Sequence, residues 1–116
     1  MQEGLADRAK VRHQDGKAIV DLPARIDGSA EQTLNEAYAE AMQRGAGQVV
    51  LNFSGVDFLS STGIALIVGL LARSRKDGRQ ISSCGLSDHY REIFEITRLA
   101  DFMRIYPDER AALAGS

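Results

Sequence analysis

Ser60, Ser61 and Thr62, followed by Gly63, are the densest group of reactive side chains in the sequence. They stand between a strand-like stretch ending at Leu59 and the apolar run Ile64-Ala65-Leu66-Ile67-Val68-Gly69-Leu70-Leu71-Ala72. A polar step of this kind sets hydroxyls beside the unpaired N–H groups of a helix N-terminus. Such strand-to-helix corners are where α/β folds commonly carry function. Three chemistries are open there. A hydroxyl caps the helix; or it accepts a phosphoryl group, whose dianion the helix N-terminus stabilises; or the loop cradles the phosphate of a bound nucleotide or flavin. Capping is compatible with either of the other two.

Other reactive residues offer less. Asp57, four residues before Ser61, reads as a turn acid or loop hydrogen-bond acceptor, since no base partner is apparent for a catalytic role. Ser61 as a hydrolase nucleophile lacks the Gly-x-Ser-x-Gly elbow. The nucleotide or flavin reading lacks the repeated glycines of dinucleotide sites and a position after the first strand. With no Trp, three Tyr and four Phe, the chain also has little to stack on a flavin ring. His13 and His89 read as surface residues, and Cys84, in an apolar strand, as a small hydrophobe. One Cys and two distant His residues make neither an internal disulfide nor a convincing metal set. No metal or other cofactor is expected.

The net charge of -2 gives no reason to expect a nucleic-acid partner. The basic cluster Arg73, Arg75, Lys76 and Arg79 is interrupted by Asp77 and reads as a solvated helix end. No apolar run approaches the roughly 20 residues that span a bilayer. The opening MQEGLADRAK has no apolar stretch and does not read as a secretory signal. The expectation is a cytoplasmic protein without membrane insertion.

The elements that position the hydroxyl corner follow from periodicity. At 116 residues the chain is one domain with a single core, running from about residue 9 to about residue 113. Lys10 to Gln14 and Lys17 to Leu22 flank Asp15-Gly16, a pair suited to a type I′ hairpin turn. Ala18, Val20 and Leu22 alternate with Ile19 and Asp21, which predicts one better-buried face, and Pro23 ends the pairing. Ser29 and Gln32 have the spacing of a capping box. Leu34, Ala37, Tyr38, Ala41 and Met42 then form one helical stripe that stops near Gly45.

Val49 to Phe53 reads as a central strand. The Ile64–Ala72 run is apolar nearly all round, so it is buried centrally or keeps one face for a partner. Gly78 closes it, and Gln80 to Cys84 reads as a strand. Ser87-Asp88 opens a helix with Tyr90, Ile93, Phe94 and Thr97 inward, a short strand follows near residues 103–106, and Pro107-Asp108-Glu109 suits the first turn of a last helix. The fold class expected is α/β, with a mixed sheet of about four to five strands packed with about four helices and an N-terminal β-hairpin.

The stretch Gly55-Val56-Asp57-Phe58-Leu59-Ser60-Ser61-Thr62-Gly63-Ile64 resembles the signature loop of STAS domains, shared by anti-sigma factor antagonists and related modules. The resemblance runs roughly from Lys17 to Leu113. It takes in Leu22 to Asp27 and the tail Ile93-Phe94-Glu95-Ile96-Thr97-Arg98-Leu99, with Phe102 and Ile105-Tyr106 beyond it. In the antagonists of that family this loop carries a serine phosphorylated by a cognate anti-sigma factor, itself a kinase. Alignment on Gly63 makes that serine Ser61, and puts Ser60 where the family has an aspartate.

The resemblance thus implies a non-enzymatic module without a cofactor, binding an anti-sigma factor and serine kinase. Its switch loop would be Asp57, Ser60, Ser61, Thr62 and Gly63, and its partner surface Ile64, Ile67, Val68 and Leu71. Within the same family the alternative is a scaffold or accessory subunit that is not phosphorylated, in a stress-signalling assembly or a lipid transporter.

Overall fold

Asp15 and Gly16 take φ values of 55° and 78°, turning β1 (Lys10–Gln14) back onto β2 (Lys17–Asp21) as an antiparallel hairpin. In the computed structural model, which describes residues 8–115, this hairpin forms one side of the main sheet. The other strands are β3 (Arg25–Ile26), β4 (Gln48–Asn52), β5 (Phe58–Leu59), β6 (Gln80–Cys84) and β7 (Arg104–Tyr106). The helices are α1 (Glu31–Gln43), α2 (Ser61–Lys76), α3 (Asp88–Ile96) and α4 (Glu109–Ala114). The five-stranded sheet runs β1-β2-β4-β6-β7, antiparallel at the hairpin and parallel elsewhere. The mixed α/β architecture expected from the sequence is the one observed.

The main core lies where α1, α2 and α3 cover one face of this sheet. Leu34, Ala37, Tyr38 and Ala41 of α1 and Ile67, Leu70 and Leu71 of α2 pack there with Val20, Val49, Leu51 and Phe94. Burying an aliphatic side chain of this size contributes about 1.5–3 kcal/mol. The opposite face carries a smaller cluster of Ile19, Val50, Cys84 and Ala112.

That second cluster corrects the alternation expected of β2. Ala18, Ile19 and Val20 are all buried, because α4 lies over the face that would otherwise be wet. α4 is fastened by charge as well as by Ala112. The Arg12 guanidinium donates to both oxygens of Asp21 (2.7 and 2.8 Å) and to both of Glu109 (3.1 and 2.6 Å). Lys17 donates to the carbonyls of Leu113 and Gly115 at 2.6 and 3.2 Å. Asp21 is held below the usual carboxylate range, first by its bond from Arg12, with burial opposing and Asn52 adding a second donor.

A second correction concerns the start of α1. Ser29 and Gln32 do not form a capping box. A 3-10 turn over Gly28–Ala30 precedes the helix, and Asp27 caps it, accepting from the Ser29 N–H at 2.9 Å and the Ser29 hydroxyl at 2.5 Å. Gln32 bonds Glu36 instead, at 3.0 Å. A carboxylate two residues upstream reaches the turn first and leaves Ser29 acting as a donor.

Candidate functional site

β3 and β5 are two residues each, too short to show in a hydropathy pattern, yet they set the geometry of the hydroxyl corner. They pair in parallel, Arg25 with Phe58 and Ile26 with Leu59, and bury Ile26 and Leu59. This small sheet joins the segment before α1 to the segment before α2. The Leu59 N–H donates to the Tyr90 hydroxyl at 3.0 Å, which ties α3 to the same place. Sequence reading missed Tyr90 in this role and missed the Asp27–Ala30 turn beside the loop; the Asp27-Gly28 pair was the signal available for the turn.

Beyond Leu59 each residue of the loop has a separate task. The Ser60 N–H donates to the Ile26 carbonyl at 3.0 Å. With extended backbone, Ser60 is the N-cap of α2, and its Oγ accepts the Gly63 N–H at 3.0 Å. Its hydroxyl lies 3.4 Å from the Ile26 carbonyl oxygen, the acceptor for its proton. Gly63 is buried against β3: a Cβ there would collide with the Ile26 carbonyl oxygen and lie 2.8 Å from its carbonyl carbon.

Ser61 and Thr62 are exposed. A Cβ on Gly28 would lie 3.6 Å from Cγ2 of Thr62, so that side chain leans toward the Gly28 turn. The Ser61 hydroxyl has no hydrogen bond among the described residues. The N–H groups of Ser61 and Thr62 likewise have no acceptor there.

This division of labour decides what the corner can do. No histidine or carboxylate contacts Ser61, so nothing within the described residues activates its Oγ as a nucleophile. The hydroxyl is available to chemistry brought from outside. A phosphoryl group placed on it would meet two open N–H groups and the positive end of a 16-residue helix, a stabilisation of about 0.3–1 kcal/mol at an exposed position. A separate phosphate cradle is poorer, because the Gly63 N–H is already taken by Ser60.

The remaining candidates divide clearly. Asp57 is exposed; its N–H donates to the Ala24 carbonyl at 2.8 Å, while its carboxylate meets no donor among the described residues. It is therefore not the loop acceptor expected from the sequence. Ile67 and Leu71 are 0% and 5% exposed and face the sheet, which corrects their assignment to a partner surface. Ile64 is half-buried against the same core, and Val68, 46% exposed, points outward. The outward face of α2 is thus Ala65, Val68, Gly69 and Ala72. Near the loop, Phe58 is also exposed, with the Arg25 guanidinium 4.7 Å from its ring centroid.

Cys84 is buried, its thiol pushed up to about 11 chiefly by burial. His89 is exposed and His13 half-buried. Among the described residues no helix is long and apolar enough to cross a membrane.

A mixed α/β domain with an N-terminal hairpin, whose capped Ser-Ser-Thr-Gly corner is pinned by a short parallel pair, defines a class of small α/β modules. A family model of the STAS domain matches residues 8–112, and the chain belongs to the STAS domain family. Among curated relatives it is similar to the anti-sigma-B factor antagonist of Staphylococcus aureus, with 29% identity over 92 residues, 79% of this chain and 85% of that protein. Among solved structures it resembles an anti-sigma-factor antagonist (STAS) domain protein from Planctomyces limnophilus, with a TM-score of 0.77, 22% identity, and 92% of this chain and 95% of that one covered. It also resembles the Bacillus cell fate determinant SpoIIAA in its phosphorylated form, with a TM-score of 0.68, 18% identity, and 91% and 97% covered. The two structural likenesses establish the shared fold.

Proposed function

We propose that this domain is an anti-sigma factor antagonist, that its partner is an anti-sigma factor with serine kinase activity, and that phosphorylation of Ser61 switches the complex off. The observation that carries this reading is an exposed Ser61 hydroxyl without an internal bond, next to a Ser60 that already caps the helix. Modification of Ser61 therefore leaves the loop's own scaffolding in place. The name of the Staphylococcus relative and the phosphorylated state of the SpoIIAA structure support the same reading.

In this mechanism the unmodified domain binds its partner through the Ser60–Gly63 loop, Phe58 and the outward face of α2, and so frees a sigma factor. The kinase then directs Oγ of Ser61 at the γ-phosphorus of its own ATP. The Oγ–P bond forms, the bond to the β,γ-bridging oxygen breaks, ADP leaves, and the hydroxyl proton passes to a base on the kinase. The product carries about -1.5 to -2 extra charge at the contact surface, which opposes rebinding by repulsion and desolvation. ATP belongs to the partner, this domain needs no cofactor, and the exchange takes place in the cytoplasm. Ser60, at the family's aspartate position, keeps the N-cap of α2, since serine and aspartate serve about equally in that role.

The test is binding of a purified candidate anti-sigma factor to wild type, Ser61→Ala and Ser61→Asp. The alanine variant should bind like unmodified wild type and stay bound in the presence of ATP, and the aspartate variant should bind more weakly. Equal binding of all three, with ATP having no effect, would contradict the switch and favour the scaffold or accessory-subunit reading.

A further inference from the structure

The parallel order of β2, β4, β6 and β7 sets the first residues of all four at one pole, and the helices between them return their C-terminal ends to it. Ser61 opens α2 at the other pole and α2 has 16 residues, so at about 1.5 Å per residue the two poles lie roughly 24 Å apart. Cations gather at the pole away from Ser61, although the whole chain carries a net charge of -2. Arg73, Arg75 and Lys76 fill the last turn of α2, Arg44 follows α1, Arg79 precedes β6 and Arg98 follows α3. Of the acids beside them, Asp77 accepts from the Tyr38 hydroxyl at 2.7 Å and Asp101 from Arg98 at 2.6 Å, while Asp15 stands at the far margin in the hairpin turn.

Complementing the helix dipole accounts for Arg73, Arg75 and Lys76 in the last turn of α2, but not for Arg79 or Arg98. Arg79 lies beyond the helix, and its Nε has no acceptor among the described residues. Arg98 holds a φ of 68°, in the left-handed region that side chains other than asparagine and aspartate enter reluctantly, and its side chain is 77% exposed. Next to these cations stand the two large apolar side chains with the greatest exposure in the described chain. The turn after α3 buries Leu99 but leaves Ile96 71% and Phe102 58% exposed. The Arg75 guanidinium sits 5.6 Å from the Phe102 ring centroid.

We propose that this pole docks peripherally on an anionic phospholipid bilayer. Phe102 and Ile96 rest at the boundary between headgroups and acyl chains, and the arginines around them meet the lipid phosphates. That surface fits both features of the pole. Its charge complements the cations, and its apolar layer accepts two protruding side chains without needing a shaped pocket. A nucleic acid would satisfy the arginines and leave Ile96 wet. Docked in this way, the domain turns its Ser61 pole away from the bilayer and still offers the hydroxyl corner to a partner. The inference does not depend on the switch.

The experiment sediments the full chain with vesicles of phosphatidylcholine alone, or of phosphatidylcholine and phosphatidylglycerol in equal parts. Binding is expected to the mixed vesicles only, and should weaken as salt rises from about 50 to about 300 mM. Arg75→Gln combined with Arg79→Gln should lower partitioning by roughly tenfold or more. Lys10→Gln, the same kind of change at an exposed residue at the opposite end of the sheet, should leave partitioning unchanged. The chain has no Trp, so Phe102→Trp places a single reporter at the contact, and its emission should shift to the blue on the mixed vesicles. No binding to the mixed vesicles, equal binding to the neutral ones, an equal loss in Lys10→Gln, or an unshifted emission from Phe102→Trp would overturn the proposal. The same blue shift with polyglutamate in place of lipid would assign the pole to an acidic protein instead.

Discussion

Replacing Ser60 by alanine removes the oxygen that accepts the Gly63 N–H at 3.0 Å, while replacing Ser61 removes a hydroxyl with no internal partner. The two adjacent serines should therefore behave very differently in a stability assay. Loss of an N-cap side chain costs about 0.5–2 kcal/mol, typically about 1. Unfolding entropy is about 2.1 cal/mol/K per residue, and over the 116 residues of this chain that makes roughly 0.24 kcal/mol/K. Ser60→Ala should accordingly lower Tm by about 2–8 °C, with about 4 °C the central value. Ser61→Ala, at an exposed position, should change stability by no more than about 0.5 kcal/mol, or roughly 2 °C. Ser60→Asp should restore most of the loss, since aspartate accepts the same N–H. Thermal unfolding followed by circular dichroism on the four proteins decides the matter. If Ser61→Ala destabilises as much as Ser60→Ala, the cap has been assigned to the wrong serine and the case for a free hydroxyl collapses.

Other substitutions and conditions probe the same framework. Gly63→Ala gains helix propensity but drives a Cβ into the Ile26 carbonyl; overpacking of this kind costs about 1–3 kcal/mol, so urea unfolding should show a lower midpoint, and an unchanged one would mean that the contact yields freely. Ile67→Ala should cost about 2–5 kcal/mol as a core truncation, whereas Val68→Asp should leave stability within about 0.5 kcal/mol and weaken partner binding; the reverse pattern would invert the assigned faces of α2. Tyr38 is raised to about 12 by burial, aided by its bond to Asp77, and Cys84 to about 11 chiefly by burial. Raised folded values contribute stability that is complete below the unfolded pKa values, about 8.5 for Cys and about 10 for Tyr, and is lost as pH climbs through the folded values. Denaturant midpoints should fall across about pH 9–12, and native Cys84 should react slowly with thiol reagents at pH 8; a flat alkaline profile would show that these groups are not buried in solution.

Much of the fold was legible because local chemistry agreed with the tertiary outcome. Asp15-Gly16 announced its turn through residues that tolerate positive φ, and Leu34, Ala37, Tyr38 and Ala41 marked one face of α1 by spacing alone. Pro107-Asp108-Glu109 signalled α4, where Asp108 caps by accepting the Ala111 N–H at 2.8 Å. β3 and β5 were invisible because two residues carry no periodicity. The burial of Ile19 depended on α4, some ninety residues away in sequence, and no alternation within β2 could report it.

The hydroxyl corner was found from its residue types, but the roles within it were not. Which serine caps depends on backbone geometry at the helix start. The rotational phase of α2 was hidden for a related reason: its buried stripe runs from Gly63 through Ile67, Leu70 and Leu71 to Ser74. Its two ends have no hydropathic weight, and Ala65, Val68 and Ala72 on the wet side look as apolar as the core. Ile67 and Leu71 therefore read as surface candidates until the helix was docked.

The most direct measurement is phosphosite mapping. The domain is incubated with its candidate kinase partner and ATP, and the product is digested and sequenced by tandem mass spectrometry, with Ser61→Ala in parallel. One phosphoryl group is expected, on Ser61, absent from the alanine variant, with release of the partner as it appears. Phosphate on Thr62 alone would contradict the register, and an unmodified domain that stays bound to an active kinase would contradict the switch itself.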